Sequence, residues 1–307
     1  MDTGLILGGL AAAHSVSKAA PVFVEKIADA IAGIAAPYQL KRMAKSQAAA
    51  TILEKEAEAT GNIAALEVYE RAGYRSAAEE VKRQLNIEAI TKAAIPLLLD
   101  DSKPENMDGD WIAHFFDKSR LTSDAEMQSL WARILAGEAN SPGAFSKRTI
   151  NLVSEISKRE AEDFTKLCGF AINNLVLIFD FEEEIYKKAG IDVSKIRELE
   201  HAGLVTQAPV LEYQCVGLPQ RQLFRYFDVF IHLTLPQEKE NSLTVGKVAL
   251  TPAGLELAYI CGAQKVPEFV EHLTQRWKDY GAAVIENPIV RDPTDLGIPT
   301  QREVAEF

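Results

Sequence analysis

The residues of this sequence best placed to do chemistry are the carboxylates Asp180, Glu182, Glu183 and Glu184, followed by Lys187. Acids at the end of a strand can hold a divalent cation, which would make a metal-dependent nuclease. The same pattern has a plainer meaning. Three acids in a first helical turn complement the helix dipole, and Lys187-Lys188 do so at the other end. No further acids stand on a supporting strand, so the dipole reading is preferred. The histidines His14, His114, His201, His232 and His272 are isolated from one another, and neither a metal site nor a catalytic triad is visible. No GxxxxGK[ST] or GxGxxG loop follows a strand. The three cysteines, Cys168, Cys215 and Cys261, form no CxxC pair and are odd in number. They read as buried free thiols in a reducing compartment, without a disulfide framework or a zinc site. These residues describe a protein that is not an enzyme, with no cofactor and no metal.

The elements that would position any site begin with helices. After Pro21, the residues Val24, Ile27, Ile31 and Ile34 make one amphipathic stripe. Residues 38–94 read as an antiparallel helical hairpin, turning at Gly61-Asn62. Its second helix carries Leu66, Tyr69, Gly73, Ala77, Val81 and Leu85 on a face expected to pack back on the first. Pro104 suits a first helical turn, and Asp110 can cap the helix carrying Trp111, Ile112, Phe115 and Phe116. Ser123-Asp124-Ala125-Glu126 and Ser157-Lys158-Arg159-Glu160 both have the form of a capping box. Ser146 can cap the helix between them. Four short capped helices in about 60 residues predict a compact bundle. Aromatics at this helical spacing are read as core rather than as a ligand pocket.

The pattern changes after Phe170. Leu175–Phe181 is an apolar run broken by Asp180 alone, Glu182–Ala189 and Ser194–Ala202 read as helices, and Leu204-Val205 begins a strand. Val229, Ile231, Leu233 and Leu235 alternate with period two, and a polar turn at Gln237–Ser242 leads to a strand over Leu243–Leu250. Thr251-Pro252 starts a helix, and Pro267–Glu286 predicts a closing amphipathic helix. Two helices, a turn and a two-stranded wing make a winged-helix pattern. The fold class is therefore mainly α. It comprises an N-terminal amphipathic segment (1–36), a helical hairpin arm (37–100) and a small central helical bundle (101–174). A winged-helix-like α+β domain (175–286) and an extended tail (287–307) complete it.

The words Asp110-Trp111-Ile112 with Phe115-Phe116, Ser123-Asp124 with Met127-Gln128, Leu130 to Glu138, and Pro142-Gly143 with Phe145-Ser146 and Arg148-Thr149 resemble an uncharacterised bacterial domain-of-unknown-function family. The likeness spans roughly residues 25–265. The helix Trp131-Ala132-Arg133-Ile134-Leu135-Ala136 with its capped successor also resembles the alpha proteins of abortive phage infection. Neither resemblance brings catalytic residues. The second implies a role in phage defence.

Two residue sets remain as candidates. Arg133 can gather Asp110, Asp124 and Glu138 into a structural charge cluster, a reading favoured over a binding site. Lys195 and Arg197, with Arg221, Arg225 and Lys247 of the wing, could contact nucleic acid. Glu198, Glu200, Asp228, Glu238 and Glu240 offset them, and a net charge of −11 opposes a phosphate backbone. A protein-contact use of the winged helix is therefore preferred, with a nucleic-acid-binding regulator as the alternative. The apolar run Gly4–Ala13 is too short to span a bilayer that needs about 20 helical residues. Lys18, Lys26, Lys41, Arg42 and Lys45 outnumber the acids of that region, so a peripheral membrane contact through residues 1–45 is a second use beside oligomer packing. The expectation is a cytoplasmic homo-oligomer with a protein partner, membrane association being the variant.

Overall fold

The computed structural model describes residues 17–31, 63–172, 175–208, 212–278 and 283–285. The readings placed on residues 1–16, on the first half of the 38–94 hairpin with its Gly61-Asn62 turn, and on the tail after Pro288 lie outside these residues. The protein is helix-rich with small antiparallel sheets, and it divides into two compact units, Met1–Ser154 and Glu155–Phe307.

In the first unit, the chain over 20–31 forms helix α1, in which Val24 and Ile27 of the predicted stripe are fully buried, Ile31 is half-buried, and Phe23, outside the stripe, is fully buried as well. Helix α2 (Ile63–Ala94) follows, then single 3₁₀ turns at Ile95–Leu97 and Pro104–Asn106. Next come α3 (Gly109–Ser119), α4 (Ala125–Asn140) and α5 (Lys147–Glu155). Helix α3 is capped by Asp108, not Asp110. The Asp108 carboxylate accepts from Asp110 N at 2.8 Å, so the cap lies two residues earlier than expected. Helix α4 likewise starts from Asp124 rather than Ser123, with Asp124 Oδ1 accepting from Glu126 N and Met127 N. Aspartate is as good an N-cap as serine, and its carboxylate also gains from the dipole.

The core of this unit is aromatic. Trp111 stacks on Phe115 at 5.2 Å, and Phe115 meets Trp131 of α4 edge-on at 5.2 Å. Both indoles are satisfied: Trp111 Nε1 donates to Phe145 O and Trp131 Nε1 to Thr122 Oγ1. Side-chain amides tie the elements together, Asn86 from a buried position and Asn140 from a half-buried one. Asn86 of α2 donates to Arg120 O and accepts from Gln128 Nε2, while Asn140 accepts from Leu99 N and donates to Leu97 O. Among the described side chains of α2, those buried lie in its last third: Asn86, Ile87, Ile90, Thr91 and Ala94. The stripe expected to be covered is open at Val81 and Leu85.

The second unit opens with α6 (Lys158–Cys168), which has the capping box predicted at Ser157 and Glu160. Strands β1 (Ala171–Ile172) and β2 (Leu175–Val176) precede α7 (Glu184–Lys188) and α8 (Val193–His201). Then come β3 (Val205–Gln207), β4 (Tyr213–Leu218), β5 (Arg221–Tyr226), β6 (Val229–Thr234), β7 (Asn241–Gly246) and β8 (Val248–Leu250). Helices α9 (Pro252–Ala258) and α10 (Phe269–Arg276) and strand β9 (Ala283–Ile285) follow. The closing helix is thus shorter than predicted, and part of its predicted span is a strand.

Among the described residues all strand pairs are antiparallel, in three sheets: β1-β2-β8-β3, β4-β7 and β5-β6-β9. The alternation in β6 holds, with Val229, Ile231 and Leu233 buried. The expected pairing of β6 with the Leu243–Leu250 segment does not. Asn241 explains the change of partner. Its buried side chain donates to Leu218 O and Gln237 O and accepts from Gln237 N, which sends the chain from one sheet into another. The Leu243–Leu250 segment itself breaks at Lys247, whose N–H donates to Ile178 O. Gly246, at φ +103°, passes so close to Ile178 that a Cβ would lie 2.8 Å from its carbonyl oxygen. Helix α9 begins at Thr251 and Pro252 as predicted, with Thr251 Oγ1 accepting from Gly254 N.

Candidate functional site

In the first unit, the residues of the proposed charge cluster each serve the local fold. Asp124 caps α4 and Asp110 lies in the first turn of α3. Arg133 donates to Ser129 Oγ at 3.4 Å. Glu138 is 2% exposed, and its two carboxylate oxygens accept from Gly143 N at 2.7 Å and Phe145 N at 3.1 Å. A buried carboxylate that holds two loop amides shapes the Pro142-Gly143 loop from within. Phe145 returns the constraint, because its ring covers Gly137 at a distance where a Cβ would sit 2.7 Å away.

The second unit presents a helix pair, α7 and α8, beside the β-hairpin region. Asp192 caps α8 by accepting from Lys195 N at 3.0 Å. Ile196 and Leu199 point into the core, leaving Ser194, Arg197, Glu198 and His201 on the exposed face. The sequence placed Lys195 with the nucleic-acid contacts. The structure turns it inward, where Lys195 Nζ donates to Asp163 Oδ1 of α6 at 3.1 Å. Asp163 is 7% exposed in its side chain, and Lys166 and Arg159 approach it at 3.6 and 3.8 Å. Arg159 also reaches Glu198 on the exposed face of α8 at 3.3 Å. Of the proposed contacts on α8, Arg197 therefore stays outward while Lys195 anchors the helix.

The wing cations are dispersed. Arg221 is exposed at the start of β5. Arg225 Nε donates to Phe227 O, closing the turn in which Phe227 takes φ +50°. Lys247 sits at the break between β7 and β8. Lys265 pairs with Asp228 at 3.0 Å, which holds the Asp228 carboxyl below its ordinary value. These positions give no continuous basic stripe, and backbone docking to nucleic acid needs one.

The acidic run resolves into separate tasks. Asp180 accepts from Glu182 N, Glu182 pairs with Lys187 at 2.8 Å, and Glu183 faces His272 and Arg276 of α10 at 3.1 and 3.6 Å. Among the described residues no group of three or more histidine, cysteine, aspartate or glutamate side chains is arranged to hold a metal ion. Glu183, Glu184, Lys188, Glu268, Glu271 and His272 line a shallow cleft of about 470 Å³ between α7 and α10. Burial pushes the His272 pKa down; Glu183 opposes this and Arg276 adds to it. Four carboxylates gathered about His272 make this cleft a poor place for phosphate.

Sequence reasoning did not foresee the cleft, because Glu183 and His272 are far apart in the chain and neither carries a motif. Cys168 and Cys261 are buried, as expected, whereas Cys215 is only half-buried, and burial raises the Cys168 thiol well above its ordinary value. No helix among the described residues is long and apolar enough to cross a membrane. Residues 70–274 match a family model described as a protein of unknown function, DUF2806. Neither a curated protein nor a solved structure matches the chain.

Proposed function

The chain belongs to the DUF2806 family of proteins of unknown function, and for it we propose a non-enzymatic role as a self-associating, protein-contacting component. The second unit would be a winged helix used for protein recognition. The chain order α6, β2, α7, α8, β3, β8, with β8 between β2 and β3, supports the winged helix. The observation that carries the protein-contact role is Lys195. The cation best placed on the recognition helix is spent on buried Asp163, and Arg159 brings Glu198 into the same network. What α8 offers outward is one arginine among Ser194, Glu198 and His201, a balanced polar surface suited to a protein partner.

Phage defence is the setting we propose, and its support is the likeness of the Trp131 helix to the abortive-infection alpha proteins. A cytoplasmic location belongs to the same reading. The competing use, a nucleic-acid-binding regulator acting through Arg197, Arg221, Arg225 and Lys247, makes a distinct demand: affinity must fall steeply with salt. Titration of a labelled duplex at low and at physiological salt tests this. The proposal expects no saturable binding at physiological salt. Saturable binding with a steep salt dependence, reduced by Arg197→Ala, would replace protein contact with nucleic-acid contact.

A further inference from the structure

Helix α2 has two apolar faces, and the fold of its unit uses one. Successive residues of an α-helix turn by about 100°. On that wheel the buried positions Asn86, Ile87, Ile90 and Ala94 share one side. Tyr74, Ala78, Val81 and Leu85 lie on the opposite side, at spacings of four, three and four. This is the repeat of a coiled-coil seam. Tyr74 is 79% exposed, Val81 62% and Leu85 60%, although three large apolar side chains in register are costly to leave in water.

We infer that this stripe is the interface between two copies of the chain, paired antiparallel about a two-fold point between Glu79 and Glu80. The sequence is self-complementary about that point. Leu85 of one copy faces Tyr74 of the other, and Val81 faces Ala78, so that a large residue meets a smaller one in each layer. The next layer outward places Arg71 against Glu88, opposite charges that end the apolar seam at both sides. Each pairing repeats under the two-fold, as an isologous contact requires. Glu79 and Glu80 themselves lie on the side away from the seam, so the four acids near the axis do not meet. They are engaged within their own helix, Arg83 approaching both and Arg75 approaching Glu79.

One flank carries a cost that makes the register checkable. Arg75 and Lys82 stand on the same edge of the seam, and in this arrangement Arg75 of one copy lies beside Lys82 of the other. Lys82→Glu should therefore tighten the pair by turning two repulsions into two attractions.

The inference rests on the reading that the protein self-associates, and the test separates the two. The mass of the full chain is followed by sedimentation velocity across a concentration series, with thermal unfolding alongside. We expect a dimer that Val81→Asp and Leu85→Asp each weaken by about 100-fold or more, with the melting of the protomer unchanged. Arg71→Glu should weaken it by about tenfold, and Arg71→Glu with Glu88→Arg should restore it. A dimer indifferent to these changes would leave self-association standing and overturn the α2 interface. A wild-type monomer would overturn both. A monomer that Val81→Asp destabilises would show instead that another segment of the same chain covers the stripe.

Discussion

Replacing Asp163 by alanine is the most informative perturbation of the second unit, because one carboxylate holds α6 to α8. Three cations approach it, and they are not equal. Lys166 and Arg159 are more than half exposed, at 3.6 and 3.8 Å, so solvent screens them and together they contribute less than about 1 kcal/mol. Lys195 is 22% exposed and makes the hydrogen-bonded contact at 3.1 Å. Removing one member of a buried pair costs about 3–5 kcal/mol, because the other charge is stranded. Since Lys195 keeps some access to water, the lower end applies, and Asp163→Ala should cost about 3 kcal/mol. For a unit of this size that lowers the melting temperature by about 6–12 °C. Hydrogen exchange by mass spectrometry should localise the loss to α6 and α8 and leave α4 unchanged. In a Lys195→Met background the same substitution should cost only about 1 kcal/mol, the stranded charge being gone. A melting temperature within about 1 °C of wild type, or equal losses in both backgrounds, would refute the claim that this pair anchors the helix.

Three further outcomes follow from the contacts described. His272 has its pKa lowered by burial, so the unfolded chain binds the proton more readily. The stability it contributes is present above the ordinary value of 6.5 and is lost as pH falls through the lower folded value. Melting temperature should therefore drop below about pH 6.5, and His272→Gln should flatten that part of the profile; an unchanged slope would contradict the assignment. Glu138→Ala removes the acceptor for the Gly143 and Phe145 amides and should cost about 2–4 kcal/mol, read by urea denaturation, with a loss under 1 kcal/mol as the contrary result. Gly254→Ala drives a Cβ into Leu204 O, a backbone atom that cannot turn aside. It should destabilise the second unit by about 3 kcal/mol or prevent its folding, and a soluble variant with wild-type melting would refute the packing.

Local signals account for what the sequence made legible. The buried stripe of α1, the aromatic layer of Trp111, Phe115 and Trp131, the capping box at Ser157 and the alternation of β6 each follow from a few neighbouring residues. What it missed depended on distance. Asp108 and Asp124 take the caps expected at Asp110 and Ser123, by shifts of two residues and one that periodicity does not distinguish. The wing was assigned to β6 and the segment after it because they alternate and are consecutive. The buried side chain of Asn241 redirects that segment to other partners, and nothing in its type announces this. Lys195 looked like a contact residue because its partner Asp163 lies on another helix. The same blindness to distant partners hid the Glu183–His272 cleft. Asp124 and Glu138 act on backbone amides, those of the first turn of α4 and those of Gly143 and Phe145, and their charge alone does not announce that use.

The central claim, that α8 serves a protein partner, is tested most directly by a photo-crosslinking residue placed at Arg197 in the full-length protein inside living bacteria. The account predicts a protein adduct of one recurring mass, resistant to nuclease and lost when Glu198→Arg alters the exposed face. Adducts that disappear on nuclease treatment, and that Arg221→Ala diminishes, would contradict it and assign the helix to nucleic acid.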